Sequence, residues 1–183
     1  MLTLDLSDFP TLRTERLLLR EPRMHDAAAL FAMRSDERVM QYIGRRRATT
    51  LADAEELLAR IDSERHANMS ISWAITLNGD DTMIGTIGYY RIKFEHFRGE
   101  VGYMLHADHW RKGIMREAVE AVVQCGFERL GFHSIEADTD PLNIGSNALL
   151  ASCGFTREGL FKESFFWNGC FQDSAVWSRL APR

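Results

Sequence analysis

Cysteine is scarce in this chain and badly arranged for cross-linking. Cys125, Cys153 and Cys170 are odd in number, widely spaced and form no C-x-x-C pair, which argues against a disulfide framework or a zinc knuckle and for a reducing compartment. No Pro/Gly/Ser-rich linker, low-complexity tract or internal repeat interrupts the sequence, so residues 1–183 are expected to form a single domain. No apolar run approaches membrane-spanning length, and the first residues carry Asp5 and Asp8 where a signal peptide would carry basic residues. A cytoplasmic protein without a membrane partner is the expectation. An excess of positive charge is also missing. Lys+Arg total 22 against 26 Asp+Glu, a net charge of −4, which is the wrong sign for a nucleic-acid partner. What is present is ordinary globular material, with 45% hydrophobic and 26% charged residues and a mean hydropathy of −0.24.

The segments alternate in type. Leu12 to Glu21 reads as a strand stopped by Pro22, and Asp26 as the acidic N-cap of a helix through Met33. Thr50 and Asp53 open a second helix, Leu51 to about Arg65, with Leu51, Ala54, Leu58 and Ile61 on one face. Ile71–Leu77, Met83–Ile92 and Glu100–Leu105 predict three antiparallel strands. Gly113 to Leu130 is helical and stopped by Gly131, Ser134–Asp138 is a short strand, and Asn143 starts a helix ended by Gly154. Leu160–Trp167 and Phe171–Leu180 form a closing hairpin about Asn168-Gly169. The order β-α-α-β-β-β-α-β-α-β-β is an α+β layer design.

The most informative stretch is Val101 to Ala118, a strand that passes through a short turn into a long helix. The first N–H groups of a helix have no internal partners, and the macrodipole adds about half a positive charge there, so this turn can hold an anion. Gly113 allows close approach to the backbone, and Arg111, Lys112 and Arg116 place cations beside it. A plain strand-to-helix turn with solvated basic residues would look the same.

Trp110-x-x-Gly113, the run Asp140-Pro-Leu-Asn143-Ile-Gly-Ser146, the opening Leu12-Arg-Thr-Glu-Arg-Leu-Leu-Leu-Arg20 and the late Glu158-Gly159 and Asn168-Gly169 together resemble the GNAT N-acetyltransferases, in particular the RimJ/RimL-like branch. The resemblance covers Leu12 to Leu180. It implies the GNAT (acyl-CoA N-acyltransferase) fold, with a mixed, mostly antiparallel sheet whose central strands splay, and acetyl-CoA as cosubstrate without a metal. It places pantetheine along Tyr103, Met104 and Leu105, and the pyrophosphate on the amides of Arg111, Lys112, Gly113, Ile114, Met115 and Arg116. Met115 stands where the family has a small residue, so its side chain has to turn away from the phosphates.

Acetyl transfer to an amine needs a neutral nucleophile, a polarised thioester carbonyl and a proton for the departing thiolate. The resemblance assigns Asn143 to the cofactor, Ser146 to the leaving sulfur and the Leu105 N–H to the carbonyl. Asn143 as a plain N-cap and Ser146 as a capping-turn hydroxyl are equally compatible with the residues. No tyrosine follows in Ala148–Gly159, where many members of the family keep a proton donor. Glu100 is the candidate base, with Glu163 a weaker one; a surface acid at a strand end is the alternative. Tyr42, Trp73, Tyr89 and Tyr90 stand where acceptor walls or core would be, and Arg45-Arg46-Arg47 reads as a solvated loop before an acidic-substrate grip. His106 and His109 lack a third ligand for a metal. No cysteine accompanies Ser146 in a nucleophile setting, so direct transfer in a ternary complex is expected. The implied partner is an amine acceptor, a protein N-terminus before a small amine, with the protein a monomer or homodimer. The competing expectation is a catalytically silent acyl-CoA-binding or ribosome-associated module.

Overall fold

The computed structural model describes residues 1–182. In chain order it contains β1 (Leu12–Arg13), β2 (Leu17–Arg20), α1 (Ala27–Ser35), α2 (Glu37–Met40), α3 (Leu51–His66), β3 (Ile71–Leu77), β4 (Gly85–Lys93), β5 (Arg98–Leu105), α4 (Ile114–Glu128), β6 (Ser134–Thr139), α5 (Ile144–Ser152), β7 (Thr156–Trp167) and β8 (Cys170–Leu180). The strands make one eight-stranded sheet in the order β1-β2-β3-β4-β5-β6-β8-β7. Every neighbouring pair is antiparallel except β5 with β6. This is the α+β, mixed and mostly antiparallel sheet with flanking helices that the resemblance implies.

Strand alternation sorts the side chains into two cores. On one face Trp73, Ile87, Tyr89, Val101 and Ile135 pack against Val119, Val122 and Val123 of α4 and Leu150 of α5. Tyr89 satisfies its buried hydroxyl by donating to the Val122 carbonyl at 2.8 Å. On the other face Ala74, Met83 and Met104 meet Leu30 and Met33 of α1 and Leu58 of α3. Trp73 and Tyr89 are therefore core, both fully buried.

Local signals explain some boundaries and long-range contacts explain others. Thr50 and Asp53 form the anticipated capping box at the start of α3. Asn168 and Gly169 both take positive φ, +48° and +81°, at the tip of the β7–β8 hairpin, as a two-residue turn of matching twist requires. The single strand expected over Leu12–Glu21 is instead two short strands, with Leu12 opposite Leu19. A turn at Thr14 separates them, where the Thr14 hydroxyl accepts from Leu17 N–H at 3.0 Å and donates to Glu117 of α4 at 2.5 Å. Asp26 does not cap α1 with its side chain. Its buried carboxylate takes both ends of the Arg20 guanidinium, at 2.7 and 2.9 Å, and the Arg23 N–H at 2.7 Å.

Candidate active site

β5 and β6 pair over only three positions, Arg98 with Ser134, Gly99 with Ile135 and Glu100 with Glu136. Beyond Glu100 they part, although β5 continues to Leu105 and β6 to Thr139. The sheet thus opens into a wedge with Glu100 at its vertex. Antiparallel bonding to β4 decides which β5 groups face the opening. The His106 N–H donates to Ile84 C=O at 2.8 Å, so bonded pairs fall at His106, Met104 and Gly102, while Leu105, Tyr103 and Val101 occupy the non-bonded register positions opposite Gly85, Ile87 and Tyr89. The peptide groups of Tyr103 and Leu105 therefore point into the wedge. Met104, expected among the cofactor-binding residues, turns its N–H and C=O to Thr86 and its side chain toward the α1/α3 core. The Leu105 carbonyl accepts from the Trp110 indole at 2.9 Å, which fixes the turn that follows.

That turn ends in the N-terminus of α4. Gly113 is the N-cap, with φ +74°, and no side chain caps the helix. Arg111 also takes a positive φ, +59°. The amides of Ile114, Met115 and Arg116 precede the first intrahelical bond, Glu117 N–H to Gly113 C=O at 3.2 Å, so they remain directed at the turn. The Met115 side chain is partly buried against the α4 core, clear of those amides. Arg111 and Lys112 are exposed. The Arg116 guanidinium, expected as a cation beside the turn, pairs with Glu120 one helical turn along, at 3.0 Å. Arg16 of the opening motif, not among the expected site residues, lies over the turn instead. It donates to Lys112 C=O at 2.8 Å and to Glu117 at 2.6 Å, and its Nη2 is 3.3 Å from where a Cβ on Gly113 would stand.

On the same face of the wedge, α5 brings Ser146 to Tyr103. Their hydroxyl oxygens are 2.7 Å apart. Burial pushes the Tyr103 phenol up to about 12, against the lowering effect of the Ser146 bond. Asn143 accepts the Ser146 N–H at 3.0 Å, so its capping role is present in the structure. Asn147, also missed, holds the preceding loop: its amide donates to the carbonyls of Asp140, Pro141 and Asn143, and its oxygen accepts from Thr139 and Trp177. Its motif was visible, but its partners were not.

Glu100 faces the opposite side of the sheet, beside its register partner Tyr90. Burial raises its carboxyl above the usual range, Arg91 opposes that from 3.1 Å, and Asp138 and Glu136 reinforce it. Arg91 reaches this position from a β-bulge with φ +45°. Ser72 donates to the Tyr90 hydroxyl at 3.0 Å, so of the four aromatic candidates Tyr90 lines this side and Tyr42 is exposed. Glu163 is exposed on β7, in a second bulge with φ +48°. His106 and His109 rings lie 6.2 Å apart, and no group of three metal-ligating side chains occurs among the described residues. A shallow depression of about 390 Å³ lined by Pro22, Leu58 and Asp62 lies away from the wedge and contains none of these groups.

A splayed β5–β6 pair leading into an uncapped helix N-terminus is the acyltransferase arrangement, and the chain belongs to the GNAT acetyltransferase family: the Acetyltransferase (GNAT) domain model matches residues 16–156. Among its relatives, the uncharacterised N-acetyltransferase YoaA of Bacillus subtilis is 34% identical over 175 residues, 96% of this chain and 99% of the relative. The crystal structure of the ribosomal-protein-S5-alanine acetyltransferase from Vibrio fischeri superposes with a TM-score of 0.82 at 25% identity, covering 93% of this chain and 96% of that one. The alpha-N-protein acetyltransferase RimL, solved in complex with coenzyme A, shares the fold at 18% identity, with a TM-score of 0.85 over 93% of this chain and 98% of its own. The chain is RimJ/RimL-like, and N-acetyltransferase activity is what this family membership supports. No helix is long and apolar enough to cross a membrane among the described residues.

Proposed function

We propose that this protein moves the acetyl group of acetyl-CoA to a primary amine by direct transfer, with an α-amino group of a peptide or protein preferred over a lysine side chain. The observation that carries the reading is the wedge itself. It offers the Tyr103 and Leu105 peptide groups, an uncapped α4 N-terminus behind Gly113, and the paired hydroxyls of Tyr103 and Ser146 along one path. The residues suit the cosubstrate, because amides and a positive-φ glycine accept a pyrophosphate where a side chain at Gly113 would crowd it. Acetyl-CoA supplies a thioester whose carbon–sulfur bond breaks as the carbon–nitrogen bond forms.

Each residue then has a defined task. The Leu105 N–H, directed into the wedge, stabilises negative charge on the carbonyl oxygen. The Tyr103–Ser146 pair supplies a proton to the departing sulfur: the Ser146 hydroxyl donates it and takes one from the Tyr103 phenol, which is protonated at neutral pH before transfer and regains its proton from solvent as CoA leaves. Glu100, across the sheet, takes the proton lost by the amine, directly or through water. Cys153 lies two turns along α5 from Ser146, but burial raises its thiol and disfavours the thiolate a covalent acetyl-enzyme needs. The Vibrio fischeri neighbour is named for a ribosomal-protein alanine, which supports a peptide or protein acceptor.

Thioester consumption tests this reading against a silent acyl-CoA-binding module. Free CoA should appear with a panel of amine acceptors and depend on the acceptor. Tight acetyl-CoA binding with no release of CoA for any amine would leave the silent module standing.

A further inference from the structure

The side of the sheet that carries Glu100 also carries cations with no carboxylate partner among the described residues. Arg34, at the C-terminal end of α1, is half-buried, and its guanidinium makes one hydrogen bond, from Nη2 to the Arg46 carbonyl at 3.3 Å. The segment it touches is held in place. Ala48 N–H donates to Arg34 C=O at 3.0 Å, and Gly44 lies against Phe165 of the hairpin, so close that a Cβ would come within 2.4 Å of the ring. The Tyr42–Arg47 loop thus ties α1 to β7. From that loop the exposed Arg45 lies within electrostatic reach of both Arg34 and Tyr90, and Tyr90 is the register partner of Glu100.

The acids of this region are already engaged. Glu64 accepts from Ser70 at 2.7 Å and lies 3.8 Å from Arg60, Glu37 is 3.6 Å from Arg47, and Glu100 is 3.1 Å from Arg91. Arg34 and Arg45 have no carboxylate within 4.0 Å among the described residues. Burial, with the Arg45 and Arg60 charges nearby, disfavours the charged form of the half-buried Arg34 guanidinium. Its planar donor fork matches a carboxylate, which would offset both effects.

We infer that Arg34 and Arg45 form an anion subsite for a carboxylate carried by the acceptor, so that acidic amine acceptors are preferred and polyamines are rejected. The inference rests on the acetyl-transfer reading above and adds the charge of the substrate to it.

Steady-state kinetics with peptides that begin with Ser followed by two Asp, two Asn or two Lys test it, alongside free serine, serine amide and spermidine. The Asp peptide should have the lowest KM, by about tenfold over Asn, equivalent to about 1.4 kcal/mol. In Arg34→Gln and in Arg45→Gln the ratio of the two KM values should collapse toward one. Arg45 is exposed, so its variant serves if Arg34→Gln does not fold. Free serine used better than its amide would identify the carboxylate as that of an amino acid; a preference confined to the Asp peptide would identify an acidic peptide. Equal KM values for Asp and Asn peptides, or spermidine as the best acceptor, would overturn the inference. Calorimetric binding of the N-acetylated Asp peptide in the presence of CoA separates the two readings, since it needs no turnover. It should exceed binding of the N-acetylated Asn peptide and lose that margin in Arg45→Gln. Equal binding of the two peptides would refute the subsite whether or not any acceptor reacts.

Discussion

The Tyr103 phenol on β5 and the Ser146 hydroxyl on α5 are 2.7 Å apart, across a wedge that the sheet opens just beyond Glu100. Tyr103 is largely buried and its proton is held tightly, to about 12. In the proposed relay the pair is fully protonated at neutral pH before transfer and regains its proton from solvent as CoA leaves. Ser146→Ala and Tyr103→Phe should each lower kcat, by about a hundredfold for Ser146→Ala and less for Tyr103→Phe, with smaller changes in acetyl-CoA affinity. The double variant should lose no more than Ser146→Ala, because the two hydroxyls act as one unit. Independent, multiplying losses in a double-mutant cycle would break the relay.

The cosubstrate site makes a prediction that needs no turnover. Acetyl-CoA at a hundredfold excess over its dissociation constant should stabilise the protein by about 2.7 kcal/mol, read from denaturation with and without ligand. Gly113→Asp should abolish that increment, because a carboxylate would meet the pyrophosphate at the α4 amides. Undiminished stabilisation of the variant would move the site elsewhere.

Glu100 links pH to stability. Its folded-state pKa is raised, chiefly by burial, so the folded protein holds this proton to higher pH than the unfolded chain does. Stability from this group is greatest in acid and is lost as pH rises through the raised value. Glu100→Gln should therefore raise Tm at pH 7, and the gain should vanish as pH falls below about 4.5, the ordinary glutamate value. A variant less stable than the parent at pH 7 would mean that the Arg91 pair outweighs burial.

Asp26 has a structural task that is separable from chemistry. With Arg20 it forms a pair whose side chains are 4% and 1% exposed, and removing the Asp26 charge leaves the buried guanidinium only the exposed Asp81 as a carboxylate partner. Asp26→Asn should cost about 3–5 kcal/mol in urea denaturation while leaving kcat per folded molecule near the parent value.

Much of this organisation is written in local signals. Thr50 with Asp53, Asn168 with Gly169, and Gly113 before an apolar helix each act through backbone geometry within a few residues, so the elements they begin or end were legible. The wedge and its α4 turn followed from the resemblance carried by Trp110, Gly113, Asn143 and Ser146. What escaped depends on partners far along the chain. Asp26 looks like a helix cap until Arg20, which also pairs with Asp81, is brought to it. Arg16 and Glu117 meet across 101 positions to brace the turn before α4. No tyrosine follows α5 in Ala148–Gly159; the phenol near Ser146 comes instead from β5, 43 residues earlier. Met104 was grouped with its neighbours because hydrogen-bonding parity along β5 depends on register with β4, which no single strand reveals.

Direct transfer to an α-amine is the central claim, and competition between two peptides tests it most directly. An α-amine with a pKa near 7.7–8.0 is about a tenth neutral at pH 7, whereas a lysine near 10.4 is neutral to well under about a thousandth. A half-buried carboxylate such as Glu100 offsets little of that difference. One peptide with only a free α-amine and one with only a free lysine should be mixed with the protein and acetyl-CoA from pH 6 to 9 and the products weighed and sequenced by mass spectrometry. The account predicts acetyl on the α-nitrogen, one CoA released per acetyl, and a modest rate loss in Glu100→Gln. Acetylation of the lysine at pH 7 with a rate that collapses in Glu100→Gln, or thioester hydrolysis with neither peptide modified, would contradict it.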